Sequence, residues 1–219
     1  MPVPPTRDAY FEQLARATKA LSSPRRLALL ELLVQGERTV ESLSKAAGLS
    51  VANTSRHLQV LRQAGLVSVQ RQGLYGHYRI AGEDVEDFLL RLRDMAEELF
   101  FEVLPLGDAI RSSTEEEQPP LEDIFAMVCA GEALLVDARP TEEFASSHLP
   151  GAISVPPSEA DVLGPELPLE RTIVVYGRGP YCDLAPPLFS LLQERGAEVL
   201  RLLEGVGEWK AAGYPITAA

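Results

Sequence analysis

The first half of the chain places apolar residues at helical spacing. They recur every three or four positions over 8–20, and a second apolar series follows Ser23-Pro24, a pair typical of a helix start. Two shorter segments, 40–47 and 51–64, each follow a residue that can cap a helix and each end before a glycine. Two short helices joined by a glycine-containing turn form a helix-turn-helix. The capping residues are Thr39 and Ser50.

The helix predicted over 51–64 has one apolar side and one polar side. Leu58 and Leu61 must face the core, and Val51 and Thr54 share that side. The opposite side has small and polar residues, so it can enter a major groove and form hydrogen bonds with base edges and phosphates. The alternative is an ordinary solvent-exposed helix face, which has the same polar pattern. The candidate DNA-binding residues of this helix are Asn53, Ser55, Arg56, His57 and Gln59.

A β-hairpin is predicted directly after that helix. Residues 66–69 form one strand, residues 78–80 its partner, and the glycine-bearing segment 72–76 the tip. A basic hairpin after a helix-turn-helix is typical of a winged helix, whose wing contacts the DNA backbone or minor groove. The basic residues of this wing are Arg71, His77 and Arg79.

The second half alternates apolar strands with helices. Apolar runs at 133–138, 172–176 and 199–203 predict buried strands, and 153–155 predicts a shorter one. Buried strands separated by helices indicate a parallel sheet covered on both faces, with ligand sites at the carboxyl ends of the strands. The helices are predicted at 121–130, 141–147, 184–195 and 207–212.

Charge separates the two halves. The 219-residue chain has a net charge of −12, which alone argues against a nucleic-acid partner. Residues 1–112, however, hold 14 basic and 14 acidic residues, whereas 113–219 hold 6 and 18. Within 22–82 there are 8 basic residues against 3 acidic ones. Because phosphate binding depends on the local field, the first half remains a candidate DNA-binding domain.

A polar, acidic segment ending in two prolines, 112–120, coincides with this change in charge. Such a segment cannot bury apolar area, so we predict two domains, 1–112 and 119–219. The chain has no apolar run of about 18 residues and no signal-peptide pattern, so we expect a cytoplasmic protein without a membrane partner. The tail after Pro215 is expected to fray.

The loop 177–182, with the sequence GRGPYC, is the candidate chemical centre. It joins a strand end to a helix start, where glycines and the helix N-terminus favour anion binding and a reactive thiolate. A tight connection without a ligand, with Cys182 as a small buried residue, is the alternative. The other cysteine, Cys129, lies on an apolar helix and is expected in the core. The candidate loop residues are Gly177, Arg178, Gly179, Pro180, Tyr181 and Cys182.

Residues 10–100 resemble the ArsR family of bacterial winged-helix repressors. The resemblance lies in LSSPRRLALLELL, in LSKAAGLSVANTSRHLQVLRQAGLV and in the hairpin ending GHYRI. It implies a homodimer that binds a palindromic operator in double-stranded DNA and releases it when a ligand binds. The helices 8–20 and 83–101 would form the dimer face, although an intramolecular core is the alternative. The apolar stripe of the later helix contains Phe88, Leu92, Met95, Leu99 and Phe100.

The metal-sensing residues of that family are missing from this chain. Many members bind metals through cysteines in the helix before the recognition helix, and 40–47 contains none. Others use histidines on the last helix, and 83–101 contains none. Two cysteines also cannot form a thiolate zinc site or a disulfide framework in this compartment. We therefore expect no metal site and no cofactor.

Residues 119–217 resemble a single rhodanese (sulfurtransferase) domain. The resemblance lies in LLVDARPTEEFASSHLPGAISVP and EGVGEWKAAGYP. It implies that Asp137, Arg139 and Glu143 brace the loop and that the region of Trp209 is structural. Rhodaneses carry a persulfide on a cysteine at the first position of the loop, where this chain has Gly177.

Together the two resemblances predict a regulator rather than an enzyme. The winged helix binds operator DNA, and the rhodanese-like domain senses a small sulfur compound or an oxyanion and changes that binding. The alternative is a sulfurtransferase that uses Cys182 and carries a DNA-binding domain. A purely structural dimeric scaffold fits least well, because Arg56 and Arg79 lie where a DNA reader needs them.

Overall fold

The computed structural model describes residues 6–73, 75–100, 105, 119–168 and 170–218. It divides into two compact units, Met1–Glu86 and Asp87–Ala219. The division falls within a helix that begins at Glu83, so most of this helix belongs to the second unit. Most of the predicted linker at 112–120 lies outside the described residues.

Helices and a small sheet make up the first unit. Two helices begin where capping was predicted: the Thr39 hydroxyl accepts from the Ser42 amide and the Ser50 hydroxyl from the Asn53 amide, each at 3.3 Å. Ser23 also occupies an N-cap position, but its side chain makes no capping bond. In chain order the elements are α1 (Arg7–Leu21), α2 (Pro24–Val34), β1 (Arg38–Thr39), α3 (Val40–Ala46), α4 (Val51–Gln63), β2 (Val67–Gln72), β3 (Tyr75–Ile80) and α5 (Glu83–Leu99).

The hairpin of β2 and β3 is longer than its sequence pattern suggests. The pairing extends to Gln72 opposite Tyr75, so the tip is shorter than the predicted 72–76. β1 adds a third, antiparallel strand beside β3. It was not predicted, because two residues show no periodicity. The core of this unit is formed by leucines of α2, α3 and α4 that are at most 5% exposed: Leu29, Leu30, Leu32, Leu33, Leu43, Leu58 and Leu61.

The second unit contains a four-stranded sheet with helices. A short 3₁₀ turn spans Gly164–Glu166. In chain order the other elements are α6 (Leu121–Ala130), β4 (Ala133–Asp137), α7 (Thr141–Ser146), β5 (Ser147–His148), β6 (Ile153–Ser154), α8 (Ala160–Leu163), β7 (Thr172–Tyr176), α9 (Ala185–Glu194), β8 (Val199–Leu202), α10 (Val206–Ala211) and β9 (Thr217–Ala218).

The sheet is parallel, with strand order β6-β4-β7-β8, and both of its faces are buried. One face packs on Leu188, Phe189 and Leu192 of α9. The other packs on Ile124 of α6 and Trp209 of α10. Burial on both faces explains why the strands are continuous apolar runs. The fold class is therefore a mainly α winged helix-turn-helix followed by an α/β rhodanese-like parallel sheet, as predicted.

Two expectations about the second unit are wrong. The tail does not fray at once, because Thr217 and Ala218 pair antiparallel with His148 and Ser147. Cys129 is exposed rather than in the core. It lies five residues after the buried Ile124, which places it about 140° away around α6.

None of the helices in the described part of the chain has the length and apolar character that a membrane span requires.

Candidate functional site

The polar face of α4 points away from the core of the first unit. Thr54, Leu58 and Leu61 are fully buried, and their burial fixes the rotation of the helix. Val51, predicted on the same side, is instead 46% exposed, because it occupies the first helical position. Of the predicted DNA-binding residues on α4, Asn53, Arg56 and Gln59 are exposed, and Ser55 and His57 are half-buried.

The wing carries its basic residues on β2 and β3. Arg71 and Arg79 are exposed, and the Arg79 Nε donates to the Ser68 hydroxyl at 3.2 Å across the two strands. His77 is half-buried, with its Nδ1 3.2 Å from Glu37 Oε1. A carboxylate at that distance competes with phosphate for the imidazole. The two arginines are therefore the better phosphate contacts of the wing.

The loop 177–182 follows β7 at the carboxyl end of the parallel sheet. Cys182 is 5% exposed, and its Sγ lies 2.6 Å from the position that a Cβ on Gly177 would occupy. The thiol of the last loop residue therefore fills the space next to the first. A side chain at position 177 has no room unless Cys182 moves.

Two amides at or just after the end of the loop already have hydrogen-bond partners. The Cys182 amide donates to the Gly179 carbonyl at 3.1 Å, and the Leu184 amide lies 3.5 Å from the Cys182 Sγ. An anion bound at this loop would have to use other amides. The Leu184 contact instead places a donor on the thiol sulfur just before α9, where the helix N-terminus favours negative charge.

Arg178 is directed at Glu143, not at an open anion site. Its Nε and Nη2 lie 3.0 and 2.7 Å from the two carboxylate oxygens, and Glu143 on α7 is only 1% exposed. A two-pronged pair of this kind fixes the orientation of both groups. The predicted bracing of the loop by Glu143 is thus present in the structure, whereas the charge of Arg178 is largely neutralised.

Asp137 and Arg139 form a fully buried ion pair behind the loop. Arg139 Nη2 lies 2.7 Å from Asp137 Oδ2 and also donates to the Ser147 carbonyl at 2.6 Å. Burial lowers the pKa of Arg139, but the hydrogen bond and charge of Asp137 outweigh it, so the guanidinium stays charged. The pair lies beside Tyr176, the last residue before the loop, with the guanidinium carbon 5.8 Å from the ring centroid.

The comparisons with known proteins agree with both halves of this structure. The family described as bacterial regulatory protein, arsR family, matches residues 23–69, and the rhodanese-like domain matches residues 122–212. The HTH-type transcriptional regulator Rv0324 of Mycobacterium tuberculosis is 42% identical over 209 residues, which cover 95% of this chain and 92% of that protein. The chain belongs to the ArsR family of bacterial regulatory proteins.

This ArsR-family regulator also has shorter relatives. Rv0081 of Mycobacterium tuberculosis is 40% identical over 83 residues, 37% of this chain and 73% of that protein. The solution NMR structure of a homodimeric winged helix-turn-helix DNA-binding domain, fragment 1–100 of Mb0332 from Mycobacterium bovis, is 41% identical, covers 47% of this chain and 95% of that chain, and has a TM-score of 0.42. The protein is a DNA-binding transcriptional regulator with a rhodanese-like domain.

Sequence reasoning missed a buried cation near the thiol of this regulator. Arg201 on β8 is 2% exposed, and its Nη2 donates to the Cys182 carbonyl at 3.3 Å. Burial lowers the pKa of Arg201, and the nearby Cys182 raises it in part. The sequence signal for this residue was an arginine within the apolar run VLRL. A buried strand contains a charged residue only when a polar or charged partner lies close to it.

Sequence reasoning also missed the residues that connect the loop of the ArsR-family regulator to α5. The Tyr181 hydroxyl donates to Glu97, and Arg93 Nη1 lies 2.5 Å from Glu208 Oε1. These partners are 84 and 115 residues apart in the chain. No local pattern indicates such a pairing. Within the described residues there is no cluster of three or more histidines, cysteines and carboxylates able to hold a metal.

Proposed function

We propose that the rhodanese-like domain senses a small sulfur compound or an oxyanion at the loop 177–182 and thereby changes operator binding. The observation that carries this proposal is the position of the Cys182 thiol. It lies at the carboxyl end of β7, within 2.6 Å of where the first loop residue would place its Cβ. In parallel sheets this edge is where ligands bind.

Two polar groups lie close to Cys182. The Leu184 amide lies near the sulfur, and Arg201 brings a buried positive charge to the same residue. Low-dielectric surroundings strengthen both interactions relative to water. A sulfur atom beside an amide donor, in a residue that also contacts a buried cation, is a candidate for covalent modification by a sulfur donor.

The proposed modification is transfer of one sulfur atom. The Cys182 thiolate attacks the outer sulfur of a hydropersulfide donor, R–S–SH, and a new S–S bond forms as the donor S–S bond breaks. The products are the Cys182 persulfide and the donor thiolate, so no external oxidant or reductant is needed. An oxyanion would instead bind without a covalent step, and it would not depend on the thiol.

Operator reading is assigned to α4 and the wing. Asn53, Arg56 and Gln59 on α4 offer a polar, exposed face of the kind that fits a major groove. Arg71 and Arg79 offer phosphate contacts beside it.

We also propose that the regulator is a homodimer. α5 has no buried residue over 17 positions, yet Phe88, Met95 and Leu99 are 42%, 47% and 67% exposed. On α1, Tyr10 and Leu14 are 62% and 46% exposed. Apolar side chains exposed on one face of a helix mark a protein–protein contact.

The experiment measures affinity for a DNA fragment taken from upstream of the protein's own coding sequence. Titration with sodium polysulfide, thiosulfate and arsenate is expected to change that affinity at least about fivefold for one of them, the usual scale of coupling between two sites. Cys182→Ser abolishes a response that depends on sulfur transfer and preserves one that depends on an oxyanion. Cys129→Ser is the matched control, since it removes the other, exposed thiol. No change with any probe would overturn the sensing proposal.

The same variants test the enzymatic alternative. A thiosulfate-to-cyanide transfer assay on the unchanged protein and on Cys182→Ser measures sulfurtransferase activity directly. We expect no turnover, because position 177 has no thiol. Turnover that disappears in Cys182→Ser and persists in Cys129→Ser would favour the enzyme.

A further inference from the structure

Within the second compact unit, one polar contact joins the loop 177–182 to α5 and a second joins α10 to α5. The Tyr181 hydroxyl donates to the Glu97 carboxylate, and Arg93 Nη1 lies 2.5 Å from Glu208 Oε1. Arg93 and Glu97 are four residues apart, so they lie one above the other on the same face of the helix. None of these four side chains is fully exposed.

Glu208, on α10, is itself packed on the loop. Its Oε2 accepts from the Gly205 amide at 2.9 Å, and its Oε1 lies 3.1 Å from the position that a Cβ on Gly179 would occupy. Gly205 approaches so closely that a Cβ there would overlap the Arg178 carbonyl. A displacement of the loop backbone therefore displaces Glu208, and with it the partner of Arg93.

The face of α5 that meets the loop is opposite its exposed apolar stripe. At 100° per residue, Arg93 and Glu97 lie about 140° and 180° around the helix from Phe88, whereas Met95 and Leu99 lie within about 20° of Phe88. The helix also begins at Glu83, three positions after β3 of the wing ends at Ile80. The same helix thus carries the proposed dimer stripe and contacts the loop.

We propose that these contacts form a latch, defined as Arg93, Glu97, Tyr181 and Glu208, through which the state of the loop controls how firmly α5 is held. The inference rests on the proposed function, because it assigns the route by which that site acts on the DNA-binding half. Cys182 is adjacent to Tyr181 in the chain, and its sulfur has no free space on the side of Gly177. An atom added to the sulfur on that side has to displace the loop, and Tyr181 moves with it.

The loop borders open space at Pro180. A cavity of about 240 Å³ lies next to the latch. Pro180 forms part of its wall, so the segment before Tyr181 can shift into it without displacing the buried sheet. The remaining lining residues are Arg93, Asp94, Glu97, Leu203, Glu204 and Glu208.

Hydrogen exchange of the full-length protein tests the latch without any effector. Tyr181→Phe keeps the ring and removes the donor to Glu97. It is expected to speed amide exchange over 87–99 at least about threefold, since helices open more often when a supporting hydrogen bond is lost. Tyr214→Phe is the matched control, because its ring packs on Phe125 and Trp209 of the same unit. Equal exchange over 87–99 in the two variants overturns the latch.

A double variant tests whether the loop and the latch act as one unit. Gly177→Ala displaces the Cys182 sulfur and is expected to speed exchange over 87–99 in the same way. When it is combined with Tyr181→Phe, the two effects are expected to be less than additive, because each releases the same contact. Full additivity overturns the coupling. These results do not depend on sulfur sensing, so an absent response to polysulfide would remove the proposed function alone.

Operator binding provides the functional readout. Operator affinity is measured for each variant with and without the Cys182 adduct, and mass spectrometry ensures that the same fraction of each variant carries the adduct. In Tyr181→Phe the ratio of these two affinities is expected to fall towards one. Tyr214→Phe is expected to keep the ratio of the unchanged protein. A ratio in Tyr181→Phe equal to that of the unchanged protein overturns the latch as the route of the signal.

Discussion

Gly177 and Cys182 share one small volume at the carboxyl end of β7, because a Cβ on Gly177 would lie 2.6 Å from the Cys182 Sγ and 3.1 Å from its Cβ. The only way to place a side chain at position 177 is to move the thiol into another rotamer or to shift the loop. The Cys182 side chain is buried, so its alternatives are restricted by packing.

Gly177→Ala is therefore expected to destabilise the protein by about 1–3 kcal/mol, the usual effect of overpacking. Urea unfolding measures the change. Replacing Cys182 by Ala in the same chain removes the sulfur and is expected to restore most of the loss. Gly82→Ala is the control, because a Cβ there meets nothing within 4 Å. A double variant as unstable as Gly177→Ala would show that the thiol is not the obstacle.

A second prediction concerns the ion pair of Asp137 and Arg139, both fully buried. Asp137→Asn leaves the Arg139 guanidinium without its counter-charge, and loss of one partner of a buried pair costs about 3–5 kcal/mol. We expect a loss of that size in the free energy of unfolding. Asp161→Asn, at an exposed position on α8, is the control and is expected to change stability by less than about 0.5 kcal/mol. A loss as small as in the control would contradict the structural role of the pair.

The sheet of the second unit was predictable because its strands are buried on both faces. The run ALLVD has no polar residue before Asp137, and TIVVY has none between Thr172 and Tyr176, so their ends mark the edge where a site belongs. The rotation of α4 was also predictable, since Leu58 and Leu61 permit only one buried side. In these places the local pattern and the tertiary packing both require an apolar residue at the buried positions.

Other features required knowledge of the folded chain. α6 is apolar on most of its surface, so its sequence does not show that Cys129 faces outward. β5 and β9 are two residues each and leave no periodic signal. Arg93 and Glu208 are charged residues of ordinary appearance, and only the packing of α5 beside α10 brings them together. A pairing across 115 residues cannot be inferred from spacing.

The pH dependence of stability is expected to depend in part on Glu204. Burial raises the pKa of this carboxyl, and the charges of Glu208 and Glu122 raise it further, while a backbone hydrogen bond and Arg93 lower it. The folded protein therefore binds this proton more tightly than the unfolded chain does. The contribution to stability is present below the unfolded pKa and is lost as the pH rises through the folded pKa.

Glu204→Gln is expected to stabilise the protein at pH 7, because it removes a partly buried negative charge. The gain is expected to shrink as the pH falls and to vanish below about pH 4, where the glutamate is protonated in both states. Urea unfolding from pH 4 to pH 8 measures this. Glu194→Gln, on the exposed side of α9, is the control and is expected to show no such trend. A gain independent of pH would contradict the assignment.

The proposed dimer face makes a separate prediction. Leu99 on α5 is 67% exposed, and Leu99→Glu places a charge in the apolar stripe. If this stripe is covered by a second copy, the dissociation constant of the dimer is expected to rise by about tenfold or more, since an unpaired charge is costly in an apolar interface. Sedimentation equilibrium measures the constant. Val162→Glu, at a site 66% exposed on α8, is the control. Equal constants for the two variants would place the dimer face elsewhere.

Operator reading by α4 is expected to depend on Arg56. This arginine is exposed on the face opposite Leu58 and Leu61, so its guanidinium is free to reach a base edge or a phosphate. Arg56→Ala is expected to weaken binding to the upstream DNA fragment by about 1–3 kcal/mol if it contacts a base.

Arg195→Ala separates that contact from a general loss of positive charge, since it removes the same charge from an exposed position at the end of α9. A base contact also predicts different losses on operators mutated at single positions, whereas a phosphate contact predicts the same loss on every sequence. Fluorescence anisotropy at several salt concentrations distinguishes the two cases, because loss of one phosphate contact reduces the salt dependence by about one counterion. Equal affinities for Arg56→Ala and Arg195→Ala would mean that the orientation assigned to α4 on DNA is wrong.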